Sequence, residues 1–165
     1  MKNMLWMALA ALLALAHPLA AAGQRGPVTD LPMPRFVSLK ASEANARRGP
    51  GTTHRIDWVY RLRDMPLRVT AEYEHWRRVE DSEGHGGWMH YALLSGVRTV
   101  LVTGDMTALH AQPAEGAMVT AYLERGVVAR LLQCDVQWCR LQVESNRGWA
   151  HKSALWGVNP DEIID

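Results

Sequence analysis

The chain is poor in several kinds of residue, and each scarcity excludes something. Its 165 residues include two cysteines, one phenylalanine and three lysines, and positive and negative charges nearly cancel. Near neutrality removes the electrostatic case for nucleic acid, which needs a basic stripe to neutralise phosphates, and for anionic membrane surfaces. Cys134 and Cys139 with distant histidines make an unconvincing zinc set, and the four residues between them rule out a C-x-x-C redox motif. Neither cysteine sits at a helix start beside a base, and no strained serine elbow is present. No enzyme activity, metal or cofactor is therefore expected. Amphipathic helical periodicity of three turns or more is also lacking.

A long apolar run occurs only at the beginning. Lys2 precedes an unbroken apolar stretch from Met4 to Ala16, Pro18 interrupts it, and Ala20-Ala21-Ala22 supplies a small-x-small cleavage pattern. Residues 1–22 are expected to be a signal peptide, leaving no stable membrane anchor after cleavage. With Lys2 removed, the 17 acidic residues are matched by as many basic ones. Export to an oxidising compartment makes a Cys134–Cys139 disulfide the first reading of the two cysteines.

What the chain does have is an internal repeat. Gly87, Trp88, His90 and Leu94 recur as Gly148, Trp149, His151 and Leu155, and Trp76 and Arg78 recur as Trp138 and Arg140. Each copy reads as short strands. Leu67, Val69, Ala71 and Tyr73 alternate with Arg68, Thr70 and Glu72, the period-two pattern of a half-buried strand. A copy of this size lies near the lower limit for independent folding, so two tryptophans per copy are expected to supply much of its core. Residues 23–34, rich in Pro and Gly, read as a linker or exposed N-terminal arm, 35–95 and 98–157 as the two copies, and 158–165 as a short acidic, frayed tail.

The ordered set Asn45, Arg47, Gly49, Pro50, then Trp76 and Val79, then Gly87, Trp88, His90 and Leu94 resembles the bacterial Src-homology-3-like family found as tandem copies in exported proteobacterial proteins. The resemblance spans residues 36 to 157. It is looser in the second copy, where Ala108, His110 and Gln112 stand in place of Asn45, Arg47 and Gly49. It implies an all-β protein of two tandem five-stranded barrels and a binding or scaffolding role in the cell envelope. The expectation is a periplasmic, non-enzymatic module that recognises peptidoglycan or an envelope protein, or a purely structural scaffold without a small ligand. The oligomeric state stays open.

Trp76, Trp88, His90, Trp138, Trp149 and His151 repeat, and residues that survive divergence of the second copy are expected to serve the barrel, the histidines by bonding a loop backbone. The stretch that does not repeat is "HRIDWVYRLR". Aligned with a shift of about 62 positions, Trp58 has Thr120 opposite, Arg61 has Leu123, His54 has Gly116, and Tyr60 alone repeats, as Tyr122. Trp58 either packs on the second copy or the N-terminal arm, or forms with His54, Tyr60, Arg61 and Arg63 a surface that stacks on a sugar or peptide.

The cysteines follow from hairpin register. If Val136 and Gln137 form a two-residue loop, Asp135 faces Trp138, and Cys134 faces Cys139 in the next, non-hydrogen-bonded pair. There Cα atoms approach to about 4.5 Å, within disulfide range. The first copy has Glu72 and Arg77 at these positions, an opposite-charge pair suited to the same contact. Val-Gln lacks the Asn-Gly chemistry that such a loop prefers.

Overall fold

The computed structural model describes residues 24–165, so the expected signal peptide lies outside the described residues. The first copy contains β1 (Arg35–Leu39), β2 (Ala44–Arg47), β3 (Ile56–Tyr60), β4 (Pro66–Tyr73), β5 (Trp76–Glu80), β6 (Gly86–His90) and β7 (Leu94–Ser95). The second contains β8 (Thr99–Val102), β9 (Thr107–His110), β10 (Val119–Leu123), β11 (Val128–Cys134), β12 (Trp138–Val143), β13 (Asn146–His151) and β14 (Leu155–Trp156). Their sheets run β3-β2-β6-β5-β4-β1-β7 and β10-β9-β13-β12-β11-β8-β14, the same order twice. The protein is all-β in two tandem copies. Hydrogen bonding resolves seven strands in each where the resemblance implied five, and one of them is a two-residue strand at the close of each copy that pairs back onto β1 or β8.

Each copy has its own core. Leu39, Leu67, Val69, Val79 and Met89 fill the first, and Val100, Val102, Leu109, Leu141 and Ala150 the second. The tryptophans divide differently from expectation. Trp88 and Trp149 are only half-buried, while their neighbours Met89 and Ala150 are completely enclosed. Alternation along β6 and β13 sends the small or flexible side chain inward and the indole to the outer face. The preceding glycine serves that arrangement. A Cβ on Gly87, at φ +152°, would lie 2.5 Å from the Arg47 carbonyl oxygen, and one on Gly148 would lie 2.8 Å from Leu109 Cβ. The repeated Gly-Trp pair is a close strand crossing beside an outward ring.

The alternation expected for β4 breaks at a bulge between Val69 and Ala71. The extra residue reverses the faces beyond it, so Tyr73 is exposed and Glu72 is buried. The Glu72 carboxylate accepts from Val28 N at 3.0 Å, Thr29 N at 3.0 Å, Thr29 Oγ1 at 2.7 Å and Arg35 Nη2 at 2.7 Å, with Arg77 Nε 3.4 Å away. Residues 24–34 are therefore no free linker: they fold against the first barrel around this carboxylate, with Met33 in its core.

The second copy has the same bulge, between Leu131 and Gln133, and it turns Cys134 inward. Cys134 and Cys139 face each other with Cα atoms 4.1 Å apart and form the disulfide. Asp135 N donates to Trp138 O at 2.9 Å, which makes Val136-Gln137 the two-residue loop. Asp135 Oδ1 accepts from Gln137 N at 2.8 Å and Trp138 N at 2.7 Å, so an aspartate turn replaces the missing Asn-Gly chemistry. Glu72 faces Arg77 at the equivalent place.

The acidic tail is docked, not frayed. Ile164 exchanges backbone hydrogen bonds with Cys134, and the buried Lys152 donates its Nζ to Pro160 O at 3.2 Å and Glu162 O at 2.7 Å. The copies also touch each other. Phe36 meets Trp156 edge-on at 5.1 Å, the Arg98 guanidinium lies 5.7 Å from the Phe36 ring, and Thr99 Oγ1 donates to Asp64 O at 2.7 Å.

Burial alone would raise the Glu72 pKa, but the hydrogen bonds from Thr29, Arg35 and Val28 outweigh it and bring the carboxyl from 4.5 down to about 2. A folded-state pKa below the unfolded one means that the stabilisation is complete above about pH 5 and is lost as pH falls towards 2. Glu72→Gln should cost about 3–5 kcal/mol near neutral pH by leaving Arg35 and Arg77 unpaired. Urea midpoints measured between pH 5 and pH 2 should fall more steeply for the native chain than for this variant; parallel slopes would refute the assignment.

Candidate binding groove on the first copy

The outer face of the first sheet brings indole and guanidinium groups together. On β5, Trp76, Arg78 and Glu80 point outward while Arg77 and Val79 point in. Across the ladder, Trp76 faces His90, Arg78 faces Trp88, and Arg47 on β2 faces Trp88 from the other side. Two adjoining clefts result. One, of about 430 Å³, is lined by Arg47, Arg48, Asp57, Arg78, Glu80 and Trp88. The other, of about 320 Å³, is lined by Asn45, Arg47, Thr52, Trp76, His90 and Leu93. Arg47 borders both, and the two clefts together are the candidate groove.

The loop after β2 makes the groove's wall. Arg47 Nη1 donates to His54 O at 2.7 Å, Arg48 N donates to Arg55 O at 2.9 Å, and the His54 ring lies over Gly49. This is the structural content of the Asn-x-Arg-x-Gly-Pro set. The acids here are already engaged. Arg55 and Arg48 hold the Asp57 carboxyl below its ordinary pKa, at 2.7 Å and 3.2 Å, and Arg68 binds Glu80. The Arg78 guanidinium has no protein partner among the described residues, so the groove carries surplus positive charge.

The five residues singled out from the sequence do not converge. Trp58 is 38% exposed and packs neither on the second copy nor on the arm; it stacks on His85 with centroids 4.1 Å apart and planes 2° apart. His85 belongs to the turn whose Gly84 and Gly86 border the larger cleft, so Trp58 adjoins the groove through that turn. Tyr60 is a core residue: it is buried, and its hydroxyl donates to His85 O at 2.7 Å. Its pKa is raised by burial and then by Asp81. His54 flanks the groove, Arg61 is exposed and pairs with Glu43 at 3.1 Å, and Arg63 lines a separate cleft between the copies with Thr99 and Arg130.

The strand register also corrects the alignment of this segment. Ala44 pairs with Tyr60, and its counterpart Thr107 pairs with Leu123. Tyr60 thus corresponds to Leu123, which is likewise buried, while Tyr122 is exposed and corresponds to Val59. Trp58 corresponds to Ala121.

His90 and His151 share a capping role, and His151 Nδ1 lies in addition 2.7 Å from Ser153 Oγ. Each caps the 3₁₀ turn that follows it, Nδ1 of His90 accepting from Ala92 N and Nδ1 of His151 from Ser153 N, both at 3.3 Å. Each also meets a tryptophan edge-on, Trp76 at 5.7 Å and Trp138 at 5.4 Å. Among the described residues no group of three or more His, Cys, Asp or Glu is placed to hold a metal ion. The second copy keeps Trp149 opposite Arg140, but His110 and Ala111 stand where the first has Arg47 and Arg48. The repeat by itself assigns Trp88 to the core and does not mark Arg78 as exposed, so neither is identified from the sequence as a surface group. The signal available to a period-two reading is the apolar Met89 between Trp88 and His90, which the structure buries completely.

Residues 40–96 and 103–157 each match the family described as bacterial SH3 domain. No curated protein matches the chain. Similar solved structures include NlpC2 from Trichomonas vaginalis, at 12% identity and TM-score 0.35, covering 74% of this chain and 48% of that one. NlpC1 from the same organism gives 12%, 0.35, 79% and 48%. An NlpC/P60 family protein from Bacillus cereus gives 15%, 0.34, 73% and 55%. The chain spans about half the length of these proteins, and a likeness this distant carries nothing about what it binds.

Tyr60→Ala should cost about 3–5 kcal/mol, as aromatic core truncations do. Arg61→Ala should stay within about 0.5 kcal/mol, as exposed substitutions do. Urea denaturation of the two variants checks the division of this segment into core and surface, and equal losses would overturn it.

Proposed function

Since the chain belongs to the bacterial SH3 domain family, we propose that it is a non-catalytic binding module of the periplasm that recognises peptidoglycan through the groove on its first copy. The observation that carries this reading is the groove's composition. Half-buried Trp76 and Trp88 present indole surface beside Arg47 and Arg78, and tryptophan and arginine are the residues most often found as binding anchors. Divergence at Arg47 and Arg48 weights the function towards the first copy. The apolar run Met4–Ala16 and the Ala20-Ala21-Ala22 site support export, with the mature chain starting at Gly23. A structural scaffold without a small ligand is the second reading, favoured by the contacts of Phe36 with Trp156 and of Thr99 with Asp64 between the copies.

Sedimentation with purified cell-wall sacculi separates the two. The binding module pellets, and Trp88→Ala with Arg78→Ala weakens capture by about 10- to 100-fold, the effect of losing hot-spot anchors. A chain that stays in solution is the scaffold. Release of soluble fragments from the sacculi would instead make it an enzyme. The intact mass of the exported protein tests the leader: retention of Met1 would refute cleavage.

A further inference from the structure

Resting on that reading of the groove, we propose that the cleft beside Trp88 receives the free C-terminal carboxylate of a peptidoglycan stem peptide, clamped between Arg47 and Arg78 with its terminal residue over the indole. Charge is the first argument. The cleft is lined by three arginines and two acids, and the acids are spent: Asp57 on Arg48 and Arg55, Glu80 on Arg68. Arg78 is unpartnered among the described residues, and Arg47 uses one Nη on the His54 carbonyl, leaving its other donors for a ligand. A carboxylate is the complementary group, because guanidinium forks bind it bidentately.

Geometry is the second argument. Arg47 and Arg78 lie on the strands either side of Trp88 and both face it in the ladder. Neighbouring strands are about 4.8 Å apart, so the two stems rise roughly 10 Å apart across the indole. That span admits one small residue with its carboxylate reaching a guanidinium. Gly84, Gly86 and Gly87 border the same cleft and put no side chain into it, which leaves room for an extended backbone. The second copy has lost Arg47 and Arg48, so the clamp belongs to the first copy.

The test is calorimetric titration of the full mature chain with N-acetyl-Lys-D-Ala-D-Ala as free acid, as C-terminal amide and as the all-L acid, with inorganic phosphate as competitor. The free acid should bind at least tenfold more tightly than the amide, and Arg78→Ala should erase that preference. Arg78→Lys, which keeps the charge and loses the fork, should retain part of it. Circular dichroism identifies any variant that fails to fold, and Arg47→Ala then replaces it. Equal binding of acid and amide would overturn the carboxylate clamp, as would displacement by phosphate at equal concentration. Equally tight binding of the all-L acid would assign the cleft to protein C-termini instead. A native chain that pellets with sacculi yet does not distinguish acid from amide refutes the clamp alone; one that neither pellets nor binds the free acid refutes the groove reading as well.

Discussion

One extra residue in the longest strand of each copy governs what can be joined to what. The bulges in β4 and β11 reverse the alternation near the strand end and turn position 72 or 134 towards the interior, opposite 77 or 139. An inward site beside a hairpin turn must be filled by something that satisfies it. The first copy fills it with a carboxylate and the second with a disulfide. The carboxylate is expensive to bury unless every lone pair is met, and meeting them recruits Arg35, Arg77 and the backbone of Val28 and Thr29. The N-terminal arm is ordered as a consequence of that requirement. The disulfide makes no such demand, and in the second copy it is the tail, through Ile164, that pairs along the same strand.

The same alternation makes the binding surface. Once Met89 and Val79 are committed to the core, Trp88 and Arg78 have only the outer face, and the strand order puts Arg47 on their other side. The glycine before the tryptophan lets β2 cross closely enough for that neighbour to exist. Fold and site are therefore not separable in this segment: one Gly-Trp pair serves strand packing with its first residue and offers a ring to solvent with its second. His90 completes the unit by capping the turn into β7 while holding Trp76 edge-on.

The two copies are coupled by a few specific contacts instead of a shared core. The ring of Phe36, the only phenylalanine, meets both Trp156 of the second copy and the guanidinium of Arg98, which in turn binds Glu162 of the tail. The arm, both copies and the tail thus form a chain of contacts in which charged groups sit beside aromatic faces. That arrangement joins the first copy to the second without using any groove residue.

Much of this was legible in the residues alone. The duplication, the all-β class, the matched strands and the Cys134–Cys139 register all follow from spacing, because hairpin geometry and period two are local rules. Spacing also identifies which side chains share a face. It does not say which face is buried, and Trp88, Tyr60 and Glu72 show the consequence. Trp88 looked like core and lies on the outer face, Tyr60 looked like surface and is enclosed, and Glu72 looked solvated and is the most heavily bonded acid described. The choice of face belongs to strand pairing and to bulges, which shift alternation by one residue and leave no mark in composition. Only the assembled sheets, bringing β2, β5 and β6 side by side, decided that Arg47, Arg78 and Trp88 would meet, since residues so distant in sequence become neighbours through pairing and not through local preference.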